Sequence, residues 1–390
     1  MAVPGLATPW RRPMSGRDPA ERPRASTPLE LLFDLCFVVA IAQAAAQLAH
    51  GIEENHTGTA LLGFAMVFFA IWWAWMNFTW FASSYDTDDV PYRLLTLVQM
   101  AGALILAAGV PQALNDYDFL VVTIGYAVMR VPMVLQWLRA AREHPDGRRT
   151  ARRYALGIAV VQALWLLRLL LPHPVDYVGF VVLVLAEIAI PPWAERARPT
   201  DWHPEHIAER YGLFTIIGLG EVILATTVAF QRSMTTGLSL DLVLVGVGGL
   251  LLMFGIWWVY FLGGDEHGFR SLRVALSWGY GHYLVFGSIA ALGAGLETAV
   301  AVAEHEAHAA PVVAAFAVAV PVALFLVVIS LLRGLVWPAG SLMPVLVGAG
   351  AVLVLLSALL APLAGIGVAV LVMGLIIAAS LAAYLRLRHT

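Results

Sequence analysis

Residues 26–48, STPLELLFDLCFVVAIAQAAAQL, decide the class of the fold. Glu30 and Asp34 stand one helical turn apart at the head of this stretch, and an uncharged apolar run follows to Leu48. At 1.5 Å per residue, about 20 such residues cross a hydrocarbon core of about 30 Å. Similar windows recur along almost the whole chain. Of its 390 residues, 60% are hydrophobic and 13% charged, against about 25% charged in a soluble domain. Mean hydropathy is +0.80. The chain is therefore read as an integral, all-α membrane protein, with the lipid bilayer as its first partner and no sign of nucleic-acid binding.

Twelve spanning helices are expected, near 28–50, 58–82, 91–112, 117–140, 151–171, 175–193, 205–230, 238–262, 271–299, 309–332, 341–361 and 364–386. Pro and Gly near 172, 310 and 363 leave open whether those points are turns or kinks. Residues 1–27, with five Arg, five Pro and no apolar run, read as a mobile cytosolic tail rather than a cleavable signal. All 23 basic residues are arginine, and 20 of them fall in alternate loops or tails if both termini are cytosolic. Arg232 falls on the outside, and Arg130 and Arg168 lie within helices. That bias supports the helix count and the orientation together.

A repeat is also visible. FAIWWAWMNFTW begins at Phe69 and FGIWWVYFLGG at Phe254, with Phe, Ile, Trp and Trp at the same offsets. Acids follow each belt, Asp86, Asp88 and Asp89 in one case and Asp265 and Glu266 in the other. An aromatic–Arg pair closes each loop, Tyr92–Arg93 and Phe269–Arg270. Two six-helix repeats are expected, 28–195 and 196–390. An even number of helices per copy gives both the same membrane orientation. The pairs Trp72–Trp73 and Trp257–Trp258 read as interfacial anchors.

The blocks TPLELLFDLCFVVAIAQ, WWAWMNFTWFASSYDTDDVPYRLL and ERYGLFTIIGLGEVIL resemble the bacterial low temperature requirement A (LtrA) family, in family order and across most of the chain. The resemblance implies a polytopic protein of the bacterial inner membrane, named for a cold-growth phenotype and without an established activity. Mechanism must come from the residues.

Charge inside a membrane helix costs about 2.5–3.5 kcal/mol on insertion scales, so charged residues in the spans need reasons. Glu30 has a local one: Thr27–Pro28–Leu29–Glu30 reads as a capping box at the positive end of the helix dipole. Asp34 lies four residues deeper and needs a partner, for which Arg93 is the expected residue, with a static clamp and a transport role both open. Arg93 and Arg270 are expected at equivalent cytosolic helix ends, each meeting acids of its own half: Asp34 or the 86–89 cluster for Arg93, Asp265 for Arg270.

Glu221 is the strongest candidate. It lies twelve residues beyond Glu209, about 18 Å deep. It follows Gly218–Leu219–Gly220, which permits close helix contact or local unwinding. It is expected to face a cavity and to exchange a proton near neutral pH. Arg130, Arg168 and Glu187 could pair with one another, and His282 is either a proton shuttle or a satisfied core histidine.

Metal and enzyme readings are weak. EHEAH at 304–308 lacks H-E-x-x-H spacing, His203 and His206 fall in a short link, and no G-x-S-x-G appears. Cys36 has no evident base beside it. No enzyme, metal or cofactor is expected. The leading function is a secondary transporter, possibly proton-coupled, of an unidentified small solute or ion. One alternative is a cation channel, since FDLCFVVAI is similar over a short run to the first-helix signature of a two-repeat potassium channel family. The other is a membrane stress sensor or scaffold.

Overall fold

A computed structural model describes residues 9–18, 25–235, 239–262, 271–334 and 343–389. The described residues form helices and no strands. In chain order they are α1 (Pro28–Glu53), α2 (Thr57–Tyr85), α3 (Val90–Asn115), α4 (Leu120–Glu143), α5 (Arg148–Arg168), α6 (Val175–Glu195), α7 (Pro204–Gly218), α8 (Gly220–Thr235), α9 (Leu240–Phe261), α10 (Leu272–Ala303), α11 (Pro311–Gly334), α12 (Met343–Ser357), α13 (Ala361–Ala364) and α14 (Ile366–His389). Among the described residues, eleven stretches are long and apolar enough to cross a membrane. The expected fifth span, α5, does not reach that level because four arginines crowd its first two turns.

Near 172, 310 and 363 the chain turns rather than kinks. Gly365, at φ +94°, carries it from α13 into α14. α7 and α8 meet at Leu219, between the two glycines, and Leu219 keeps both helical hydrogen bonds: its N–H donates to the Thr215 carbonyl at 3.0 Å and its carbonyl accepts from the Ile223 N–H at 3.1 Å. The local unwinding that the glycines permit is therefore not present.

The bilayer explains which faces carry apolar groups. On α6, Val178, Val181, Val182 and Leu185 form an exposed stripe at helical spacing, while Glu187 and Ile190 point inward. In water such a stripe would be a liability; against lipid tails it is the ordinary outer surface of a spanning helix.

Packing divides the chain into two units. The first holds Met1–Ala40, Ala70–Ala113 and Asp118–Arg210; the second holds Ile41–Phe69, Leu114–Tyr117 and Tyr211–Thr390. These units do not coincide with the halves 28–195 and 196–390. In the first, α4 and α5 run antiparallel, with Trp137 stacked on Tyr154 at 4.2 Å. In the second, α10 packs on α11 and α9 on α14. A Cβ on Gly248 of α9 would meet the Val370 carbonyl oxygen at 2.7 Å, so only glycine permits that approach.

The segment before α1 corrects an expectation. Residues 9–18 are held rather than mobile: Met14 is fully buried, and its N–H donates to Glu143 at 2.7 Å. Arg11 pairs with Glu143 at 2.6 Å, and the Arg12 N–H donates to Asp89 at 2.8 Å. Asp89 also accepts from Arg139 at 2.9 and 2.6 Å and from the Tyr92 N–H at 3.0 Å. Burial acts to raise the Asp89 carboxyl, but Arg139 and the two backbone N–H groups outweigh it and hold it below the usual carboxylate range. A depressed carboxyl stabilises the fold above its unfolded value of about 4, and that stability is lost as pH falls through the folded value. Asp89→Asn is expected to lower the unfolding temperature at pH 7, and the gap to the parent is expected to close below about pH 4. A gap that stays constant from pH 7 to pH 3 would show that charge at Asp89 contributes nothing.

Candidate functional site

One arginine accounts for both acids at the head of α1. Glu30 makes the capping box: its Oε2 accepts from the Thr27 N–H at 2.8 Å and hydroxyl at 2.9 Å, and its N–H donates to Thr27 Oγ1 at 3.3 Å. Its other oxygen faces Arg210 at 3.1 Å and His206 Nε2 at 3.2 Å. Asp34, fully buried, pairs with Arg210 as well and accepts from Trp75 Nε1 at 2.7 Å. His206 and Arg210 are one turn apart on α7, so one helix face meets one turn of α1. Arg93 is therefore not the partner of Asp34. It pairs instead with Asp88 at 2.7 and 2.9 Å, with 44% of its side chain exposed, which is its other expected partner group. The reason is reach: Arg210 meets both acids, whereas Arg93 has a neighbour five residues away.

A second cluster lies in the middle of the first unit. Arg130 pairs with Glu187, as the sequence suggested, and both are buried. Glu187 also accepts from Trp73 Nε1 at 2.8 Å and the Tyr126 hydroxyl at 2.9 Å. Arg168 does not join them. It donates to the Asp176 carbonyl at 3.0 Å, inside a ring of Phe119, Trp165 and Phe180. Trp72 and Trp73 are buried rather than interfacial, because Trp73 is a ligand of Glu187, whereas Trp257 and Trp258 are about half exposed.

The third cluster contains a cavity. Just past Leu219, Glu221 lines a space of about 290 Å³ with Glu53 of α1, Glu297 of α10 and Arg232 of α8. Leu224, Ala225, Val228 and Val300 supply apolar wall. Gly293 makes room for the acid, since a Cβ there would stand 3.0 Å from the Glu221 Cβ. Arg232 is held at the cavity by Glu304 and, at 2.8 Å, by Glu306. The EHEAH loop thus serves as a partner for arginine.

A family model, the bacterial low temperature requirement A protein (LtrA), matches residues 25–379. The chain belongs to the LtrA family. An uncharacterized protein of Rhizobium meliloti (strain 1021) is 29% identical over 269 residues, which are 66% of this chain and 62% of that protein. The chain thus spans under two thirds of the length of that relative. The three LtrA-like blocks fall on the clusters just described. The first carries Glu30 and Asp34, the second Trp73 and Trp75, and the third Arg210 and Glu221.

The remaining candidates of this LtrA chain separate cleanly. His282 is a satisfied core histidine: Nδ1 lies 2.8 Å from the Trp278 carbonyl and Nε2 3.1 Å from the Tyr260 hydroxyl. The first contact requires a donor at Nδ1, leaving Nε2 to accept. Asp265 and Arg270 lie outside the described residues. Sequence reasoning missed Arg210, Arg232, Glu53, Glu297, Trp73, Trp75 and His206 as site residues. Glu297 was within reach, since it is an acid inside an apolar span like Glu221.

Proposed function

We propose that this protein is a proton-coupled secondary transporter whose solute site is the Glu221 cavity, and that the solute is small and positively charged. One observation carries the reading: four carboxylates, Glu53, Glu221 and Glu297 from three different helices and Glu306 from the loop that pairs with Arg232, line one partly apolar cavity. Charge in a low-dielectric surrounding must be compensated. Arg232 is already paired with Glu304 and Glu306, so protons or a cation from solution compensate Glu53, Glu221 and Glu297. Exchange between proton and cation at the same oxygens is what coupling requires. The repeated Trp belts fit the duplicated architecture common among secondary transporters.

The test is flux. Proteoliposomes loaded with a pH-sensitive dye, held at zero voltage, are challenged with sodium, potassium and short alkylamines. Proton release driven by a cation gradient is the expected result. Current that follows voltage without proton movement would make the protein a channel, and silence towards every cation would favour a sensor or scaffold.

The arginine pattern further supports placing both termini in the cytosol, in the bacterial inner membrane. In a Cys36→Ser background, Asp146→Cys, on the exposed turn between α4 and α5, is expected to react with a membrane-impermeant thiol reagent only after the cells are opened. Labelling in intact cells would reverse the orientation.

A further inference from the structure

α8 and α10 run in step beside the Glu221 cavity. Glu221 lies against Gly293, where a Cβ would stand 3.0 Å from the Glu221 Cβ. Eleven residues further along each helix, Arg232 pairs with Glu304. The two helices are therefore parallel and in register, and the rise of about 1.5 Å per residue gives the level of each wall residue. Glu221 marks the inner end. Glu297, four residues past Gly293, stands about 6 Å further out. Val228 and Val300 follow at about 10 Å, each seven residues beyond the inner end. The outer end, at about 16 Å, holds Arg232 with Glu306. Glu53 belongs to that level too, because its carbonyl accepts from the His308 N–H at 3.0 Å in the same loop.

The acids are thus strung along the cavity rather than gathered at one point. Glu221 and Glu297 occupy the inner part, a valine belt follows, and Glu53 and Glu306 stand beyond it. A hard metal cation held without water needs about six oxygens at one point. Among the described residues, no three His, Cys, Asp or Glu side chains come together as a metal site. The volume, about 290 Å³, lies instead near the lower end of small-molecule sites, about 300–1,000 Å³. Acid, apolar belt and acid in that order complement a solute with a cation at each end and methylenes between. A solute with one cation would leave the carboxylate at the far end uncompensated.

Resting on the reading of this cavity as a cation site, we propose that the solute is a linear aliphatic polyamine. One ammonium sits at Glu221 and Glu297, the methylenes lie against Val228 and Val300, and a second ammonium sits at Glu53. A dication compensates two of these three carboxylates and leaves the third for the coupled proton. From the level of Glu297 to the outer end is about 10 Å. An extended chain advances about 1.2 Å per bond, so nitrogens about seven to nine bonds apart span the gap.

The full chain, in nanodiscs of zwitterionic lipid, is unfolded thermally at neutral pH and constant ionic strength. The probes are α,ω-diaminoalkanes of about two to eight carbons, n-alkylamines of matched length, and sodium and potassium chloride. A ligand bound only by the folded state raises the midpoint in a saturable way. Half-saturation is expected to fall with length towards the diamines of about six to eight carbons. Each of those is expected to bind about tenfold more tightly than its matched monoamine, since the monoamine lacks one charge-assisted contact. Glu53→Gln is expected to remove that tenfold advantage and leave the monoamines as they were. Diamines no tighter than matched monoamines, no dependence on length, or sodium or potassium binding as tightly as any diamine would overturn the polyamine while leaving a cation site in place. A diamine advantage unchanged in Glu53→Gln would overturn it as well, and the parent series decides alone where that variant yields no folded protein. No saturable rise with any of these cations would overturn the polyamine and the cation site together.

Discussion

Arg210→Leu is expected to abolish accumulation of folded protein. Arg210 pairs with both Glu30 and Asp34, and all three are buried. Removing one member of a buried ion pair costs about 3–5 kcal/mol because the other charge is left without compensation. Here two acids lose the same partner. Such a loss is comparable to the whole stability of many domains, about 5–15 kcal/mol. Asp34 would keep Trp75 Nε1, and Glu30 would keep its capping box. Neither hydrogen bond supplies positive charge, and His206, 3.2 Å from Glu30, faces that acid but not Asp34. Asp34→Asn in the Arg210→Leu background is expected to restore part of the yield, because it removes one of the stranded charges, and the double-variant cycle measures the coupling. Detergent-extracted yield and thermal midpoint are the readouts. An Arg210→Leu protein with the parent's yield and midpoint would show that the α1–α7 cluster contributes nothing to the fold.

Local features of this chain were legible in its sequence, and distant partners were not. The capping box at Thr27–Glu30 depends on residues three apart, so its chemistry is written in order along the chain. The room for Glu221 against α10 depends on a glycine, Gly293, that lies 72 residues along the chain and that no local pattern points to. The partner of Asp34 is 176 residues away, and arginine placement had already assigned Arg210 to a cytosolic role. An arginine that opens a spanning helix satisfies the topology rule whether it faces water or a buried acid. Trp73 shows the same ambiguity, since an indole suits both the interface and a buried carboxylate. The Trp72–Trp73 and Trp257–Trp258 pairs read alike but differ in burial, which depends on neighbours no motif encodes. Glu297 was passed over although the rule that selected Glu221 applies to it equally.

Glu221→Gln is expected to abolish cation-driven proton release and leave the protein folded. Gln matches Glu in shape, and the room made by Gly293 accepts either side chain. What it removes is a carboxylate that can exchange a proton for a cation, in a cavity whose other charged walls are Glu53, Glu297, Glu306 and Arg232. A purely structural acid would tolerate the change, because an amide retains an acceptor oxygen and adds two donors. The deciding measurement is therefore dye-reported proton release from proteoliposomes containing equal amounts of folded parent or Glu221→Gln protein, driven by the same cation gradient at zero voltage. Proton release is expected from the parent and a signal no greater than that of empty liposomes from Glu221→Gln, at an unchanged thermal midpoint. A Glu221→Gln protein that releases protons at the parent's rate would contradict the role assigned to Glu221.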